Sequence, residues 1–598
     1  MESSPLKKTT DGTRQSRFTS SIMIVLSSLG TMVGTGNLWR FPRIVAQNSD
    51  EEGCLVFLIV WTLFLFFWTM PIISLEYSSG RFTNSAVFQT FRRLMGEKAA
   101  WCGMWVTFVC FFAAAEYAVI CGWCFYYIYL TIALPLATDN YESEAMFYEF
   151  ARDSYWPILV TAIALVLAAV FVSKGVSTIE KANLVLVPLF LLILVFCLIW
   201  SLTQEYADHG IIFLFTPNWA SFGNPRVWVD ACSQNAFDSG GGFGLIATVA
   251  AAMGREDGIV KYSTFIPLGN HMVSLIAAMT MYMTVFSSFR RTQPTITQKG
   301  IVDVLKNNGP GSSGLTFIWI PVLFSSLGVF GRVLCVLFFI CLGCAGFTSL
   351  ITFMEMLTLP VVQFGVPRLL AVVVTTVLVF AMGLGSAISL EFLTNQDFVW
   401  AFALVVSGIL FLAMVIKYGV SKYRREAFND YSDNDWHLPK IWEVFILVIC
   451  PLEAIVLIGW WMFDTIITSE ESNKPWYSFG SDSLLTTLAE WLGVLLISII
   501  LNIILYKLKP KWYMNSVQDD VYEVPILQDA QNENAYEALP AQGRSRSYQS
   551  MNSSQDNIYM KLDDASLDDG TYDVPYNPHS KTQPTHRSLE TQFTGNKR

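Results

Sequence analysis

Apolar runs long enough to cross a bilayer recur about twelve times along this chain, and that recurrence limits its fold more than any other feature. A hydrocarbon core of about 30 Å needs about 20 apolar residues per helix. Such runs fall near 20–47, 54–78, 101–134, 155–173, 179–202, 227–252, 264–289, 331–358, 367–390, 398–418, 441–463 and 484–506. Backbone groups in lipid must be bonded within the segment, so each run is expected to be helical. Of 598 residues, 53% are hydrophobic and only 14% charged, which is unlike a soluble protein. The fold class expected is an all-α polytopic membrane protein with about 12 transmembrane helices. The apolar stretch near 307–324 is shorter and opens with Gly309-Pro310-Gly311, so a re-entrant or surface hairpin is expected there.

Three regions follow from composition: a polar cytoplasmic arm (1–18), a membrane domain (19–506) and a polar tail (507–598) expected to be disordered. No small-residue cleavage site precedes the first run, so no cleavable signal is expected. Arg81, Arg92, Arg93 and Lys98 follow the second run, and Lys417, Lys422, Arg424 and Arg425 follow the tenth. Acidic Asp139, Glu142, Glu144 and Glu149 follow the third. Positive charge stays inside, so a multi-pass protein with both termini cytoplasmic is expected. The net charge of −10 lies largely in loops and tail, and no nucleic-acid partner is expected. Most of the eleven cysteines sit within runs without metal-ligand spacing, and Cys121-x-x-Cys124 reads as packing.

Two runs are interrupted by glycine: the first at Gly30, Gly34 and Gly36, the sixth at Gly240, Gly241, Gly242 and Gly244. Glycine clusters weaken helix, and unpaired backbone is tolerated at membrane depth only around a cavity. Interruptions five segments apart point to an inverted-repeat carrier with its site near the midplane. Freed amides there suit a carboxylate, and freed carbonyls suit a cation. Asp238 lies beside the second break, where an uncompensated charge is costly, so a functional role is expected. Glu116 and His271 are also intramembrane, and for each a structural role stays open.

Gly34-Thr35-Gly36-Asn37-Leu38-Trp39-Arg40-Phe41-Pro42 is similar to the first-helix signature of the neurotransmitter:sodium symporter family, on its amino-acid transporter branch. Glu76-Tyr77-Ser78-Ser79-Gly80-Arg81 resembles the end of its second helix, and Thr216-Pro217-Asn218-Trp219 the approach to its sixth. Ala345-Gly346-Phe347-Thr348-Ser349 resembles its eighth-helix sodium motif. The resemblance implies two inverted five-helix repeats, helices 1 and 6 unwound at the midplane, and alternating access. It implies two sodium sites. One uses Gly30, Val33 and Ala345 carbonyls with Thr348 and Ser349 hydroxyls. The other uses the Met32 carbonyl, Asn37, Asn270 and Asp238. It implies a substrate carboxylate on the Thr35 and Gly36 amides and the Tyr117 hydroxyl. The rest of the cargo site would be Thr31, Ala113, Tyr117, Phe237, Gly240, Phe243, Ser349 and Phe353. Arg40 and Asp397 would gate the outside, with Phe237 and Tyr117 closing over the cargo.

Monoamine members resemble this stretch but carry Asp at the position of Gly34. Gly34 therefore favours an amino acid over a monoamine or other small amine, and the uncharged pocket favours a neutral, medium to large apolar side chain. Chloride-dependent members are similar but have Ser or Thr at 238, with Tyr in helix two and Ser in helix seven. Here Asp238 replaces the first, Trp61 stands at the second and Ser274 fits the third, so chloride-independent transport is expected. A protonatable Asp238 leaves proton coupling open. The Asn-Gly-Gly-Gly turn after helix one reads Asn48-Ser49-Asp50-Glu51-Glu52-Gly53. The family's cytoplasmic gate is not recognizable: its Arg and Trp are displaced or replaced near Arg14, Arg17 and Phe18, and Gln363 stands at the partner Asp position, so inward gating is expected to be weaker or rebuilt.

The tail carries Tyr522-Glu523-Val524-Pro525, Tyr536-Glu537-Ala538-Leu539, Tyr548-Gln549-Ser550-Met551, Tyr559-Met560-Lys561-Leu562 and Tyr572-Asp573-Val574-Pro575. These resemble phosphotyrosine ligands of SH2-domain proteins or signals for sorting adaptors. The sequence expectation is a plasma-membrane sodium symporter of neutral amino acids, not an enzyme. The alternative is a transporter-like amino-acid receptor signalling through that tail.

Overall fold

The computed structural model describes residues 17–306, 315–471, 475–481 and 483–510. The tail tyrosines and Arg14 lie outside the described residues, as does part of the 307–324 stretch. Among the described residues the chain is helical throughout, without strand.

The first interrupted run forms α1 (Ser21–Met32), α2 (Thr35–Leu38) and α3 (Arg40–Gln47). Then follow α4 (Leu55–Thr83), α5 (Val87–Met95), α6 (Trp101–Ala133), α7 (Asn140–Ala151), α8 (Trp156–Val172) and α9 (Val176–Leu202). The middle of the chain gives α10 (Ala207–Phe215), α11 (Pro225–Ser239), α12 (Leu245–Ala250), α13 (Ile259–Thr292), α14 (Gln298–Lys306) and α15 (Thr316–Ser325). The rest is α16 (Gly328–Gln363), α17 (Arg368–Ile388), α18 (Leu390–Tyr418), α19 (Ile441–Ser469) and α20 (Leu484–Leu508). Nine described helices are long and apolar enough to cross a membrane, ten if α7 and α8, bent by 68°, count as one span. α15 is too short to cross.

The center is built on α6 and α16, which pack on each other, and α16 packs on the broken segments. Val185 and Leu192 on α9, Leu369 on α17, Ile455 on α19 and Ile497 on α20 stay exposed although apolar. In water such a belt would be a liability; in hydrocarbon it is the solvent-facing surface.

The two breaks arise differently. After Met32 the chain turns extended at Val33 (φ −77°, ψ 104°), and α2 restarts from extended Gly34. At the sixth run, Gly240 (φ +60°), Gly242 (φ +113°) and Gly244 (φ +78°) take left-handed conformations that side chains resist. Glu76 on α4 spans this second break. Its Oε1 accepts from the Gly242 (2.6 Å) and Gly244 (3.3 Å) amides, and its Oε2 from Ile246 (3.1 Å) and Ala247 (3.2 Å). A buried carboxylate at the N-terminus of α12 satisfies donors that the lost helix leaves orphaned.

Candidate functional site

Both breaks meet α16. Ser349 Oγ lies 3.2 Å from the Gly30 carbonyl oxygen, 3.3 Å from that of Thr31, 3.4 Å from that of Val33 and 3.4 Å from that of Ala345. Thr348 Oγ1 is 2.9 Å from the Ala345 oxygen. One hydroxyl cannot donate to four carbonyls, so this is a surplus of neutral oxygens facing one another. Such a donor set fits a hard monovalent cation. Gly30 is needed for the approach, since a Cβ there would sit 2.8 Å from Val187 and 3.2 Å from Thr348.

A second polar cluster lies on the other side of the first break. The Gly34 amide donates to Asn37 Oδ1 (2.8 Å), and Asn37 Nδ2 donates to Asn270 Oδ1 (3.0 Å) and Ser274 Oγ (2.8 Å). Asn270 Nδ2 donates to the Asp238 carbonyl at 3.0 Å. The Asp238 carboxylate accepts from Gln234 Nε2 (2.5 Å) and Ser274 Oγ (3.3 Å). Met32 is the last residue of α1. Asn37, Asn270 and Asp238 are thus in one network, with a single carboxyl group among neutral oxygens. Beside it the Trp61 ring stacks on His271 with centroids 3.9 Å apart, and Asn235 Nδ2 donates to the Trp61 carbonyl at 2.8 Å.

Between the clusters, Gly34, Gly36, Tyr117, Phe237, Gly240 and Phe243 keep partial exposure inside a buried surround. They line a hollow. The Thr35 amide donates to the Tyr117 hydroxyl at 3.1 Å. A Cβ on Gly34 would lie 2.7 Å from that hydroxyl, so no side chain fits there without moving Tyr117. Phe353 packs against both Tyr117 and Phe243, with ring centroids 5.5 Å apart in each pair. Ala113 is buried on the same helix as Tyr117. The Thr31 hydroxyl is bonded to Thr352 (2.8 Å) and the Ser27 carbonyl (2.7 Å), so only its backbone joins the oxygen cluster.

Outside the hollow, the Arg40 guanidinium lies 3.8 Å over the Phe237 ring and 3.9 Å from Asp397. Both charges are partly exposed, so the pair is weak and separable. On the opposite side, Arg17 lies 3.7 Å from Glu256, and the Thr19 amide and hydroxyl both bond Glu180 at 3.1 Å. Gln363 accepts from the Ala86 amide at 3.0 Å. Sequence reasoning passed over Gln234, Glu180 and Glu256. Only Gln234 carried a local signal, its i, i+4 spacing to Asp238 on one helix face.

Comparison with known proteins agrees with this architecture. The profile of the Sodium:neurotransmitter symporter family matches residues 15–154 and 148–510. An uncharacterized sodium-dependent transporter of Methanocaldococcus jannaschii is 25% identical over 350 residues, 56% of this chain and 68% of that protein. The mouse sodium-dependent neutral amino acid transporter B(0)AT1 is 23% identical over 526 residues, 72% of this chain and 80% of that protein. The crystal structure of MhsT in complex with L-phenylalanine superposes with a TM-score of 0.63 at 23% identity, covering 74% of this chain and 99% of MhsT. With its apolar helices, two chain breaks and facing oxygen clusters, this multi-pass membrane protein belongs to the sodium:neurotransmitter symporter family.

Proposed function

We propose that the protein is a sodium-coupled symporter of neutral amino acids with medium to large apolar side chains, working by alternating access and without chloride. The contact between the Tyr117 hydroxyl and Gly34 carries this reading. It leaves no room for a side-chain carboxylate at position 34, which favors a cargo that brings its own. Mouse B(0)AT1 is by name a neutral amino acid transporter, and MhsT was crystallized with L-phenylalanine, which agree with such a cargo.

In this reading the Ser349 cluster holds one sodium through Gly30, Val33, Ala345, Thr348 and Ser349. Met32, Asn37, Asn270 and Asp238 hold the other. Bound sodium supplies positive charge that fixes the two breaks and attracts the cargo carboxylate. The Thr35 and Gly36 amides at the start of α2 and the Tyr117 hydroxyl orient that carboxylate. Ala113, Phe237, Gly240, Phe243 and Phe353 surround the side chain. Arg40, Asp397 and Phe237 close the outer path. Asp238 provides the negative charge that offsets sodium, in place of a mobile anion. The reading also holds twelve spans in two inverted repeats, a plasma-membrane location with both termini cytoplasmic, and tail tyrosines that dock SH2-domain proteins or adaptors.

The test is accumulation of radiolabeled L-leucine or L-phenylalanine in proteoliposomes under an inward sodium gradient. Uptake should exceed equilibrium and collapse when the gradient is dissipated; binding without accumulation would instead mark a receptor. Gly34→Ala should raise the KM for the amino acid by about tenfold or more, since displacing Tyr117 removes a hydrogen bond to a charged group. An unchanged KM in that variant would remove Tyr117 from the carboxylate site.

A further inference from the structure

The turn that follows α3 is strained and strongly connected. Asp50 (φ +47°) and Glu51 (φ +62°) are consecutive non-glycine residues in the left-handed region. Each costs of order 1 kcal/mol or more, and such outliers persist where the surroundings hold them. The strain aims their side chains at different elements. Asp50 Oδ2 accepts from Ser221 Oγ at 2.7 Å, in the segment leading into α11. Asn48 Nδ2 donates to Asp230 Oδ2 on α11 at 2.9 Å. Gly53 lies against Thr216 so closely that a Cβ would be 2.2 Å from its carbonyl oxygen. Glu51 faces α14 instead: its Oε1 is 3.0 Å from Lys299 Nζ and 3.8 Å from Lys306 Nζ, and its carbonyl accepts from Gln298 Nε2 at 2.9 Å.

The two sets of joints differ in kind. Those toward α11 are close, partly buried hydrogen bonds and a backbone contact. Those toward α14 are one hydrogen bond from Gln298 and two ion pairs, in which Glu51 is 33%, Lys299 66% and Lys306 26% exposed. Exposed pairs contribute little and are screened by salt. The α14 side is therefore the one that can release. α14 packs on α3, the helix that begins with Arg40, and Trp39 just before it meets Phe317 of the following segment with ring centroids 6.3 Å apart.

We propose that Glu51 is a releasable electrostatic latch that holds α14 against the outer half-helices while the outer path is shut. The turn 48–53 moves with α3 and α11 as one piece. α14 detaches from it when the path opens, and charge screening favors detachment. This rests on the transport reading only for its purpose; the latch itself is a mechanical claim with its own readout.

The experiment is a spin-label distance measurement on the full-length chain in nanodiscs. Labels go at Asp303→Cys on α14 and Tyr141→Cys on α7, both exposed, with the one partly exposed native cysteine removed as Cys344→Ser. Glu51→Lys should raise the ratio of detached to docked molecules by about two- to fivefold, the range expected for exposed pairs. Glu51→Lys combined with Lys299→Glu should return it part of the way, since Lys306 still faces position 51. One molar choline chloride should shift the parent toward detachment and Glu51→Lys, whose like charges are screened too, back toward docking. A distribution unchanged by Glu51→Lys, or a shift that the charge swap leaves in place, would overturn the latch. Uptake measured alongside separates the two claims, because a protein that transports normally yet shows no shift refutes the latch alone.

Discussion

Asp238→Asn is expected to lower the apparent sodium affinity of uptake by about a hundred- to a few thousandfold while the protein remains folded. The carboxylate is buried and bonded by Gln234 and Ser274 within the Asn37–Asn270 network. Removing one partner of a buried charge pair costs about 3–5 kcal/mol, and every 1.4 kcal/mol is tenfold. Asparagine keeps the shape, so the loss falls on charge and not on packing. The measurement is the sodium dependence of amino-acid uptake in proteoliposomes, with a thermal melt beside it. A midpoint within threefold of the parent would mean that Asp238 faces no cation.

The second large effect is on the fold. Glu76→Ala leaves the Gly242, Gly244, Ile246 and Ala247 amides without their acceptor in a buried place. At about 1–3 kcal/mol for each unsatisfied donor, the loss is at least about 4 kcal/mol, larger than most single substitutions cause. The purified variant should melt at least about 5 °C lower or fail to yield folded protein. Glu76→Gln should recover only part of this, since one end of its amide is a donor set against other donors. A melting temperature within about 2 °C of the parent for Glu76→Ala would show that water or neighboring groups satisfy the break.

The large elements were legible because lipid enforces them. The third apolar run, 101–134, became α6 at Trp101–Ala133, and the twelfth, 484–506, became α20 at Leu484–Leu508. The seventh run was read from 264, yet α13 starts at Ile259. Its first turn is held by Asp435, whose carboxylate accepts from the Val260 (2.7 Å) and Lys261 (3.3 Å) amides. A cap that far along the chain leaves no trace in local hydropathy. The second break was visible in its glycines, and three of them do adopt positive φ. What holds it open was not, because Glu76 reads locally only as part of a motif. The contacts of Arg17 and Thr19 were equally hidden. Glu180 and Glu256 look like ordinary loop and helix-end charges until folding sets them beside Thr19 and Arg17. The acidic turn at 48–53 was seen as a departure, but its connections to Ser221 and Lys299 are also long-range.

The most direct measurement of the central claim is sodium-driven amino-acid uptake into proteoliposomes with all chloride replaced by gluconate on both sides. With Asp238 supplying the fixed negative charge, the initial rate should stay within about twofold of that in chloride. A loss of tenfold or more on removing chloride would contradict the account, because the carboxylate at 238 would then not be the charge that balances sodium.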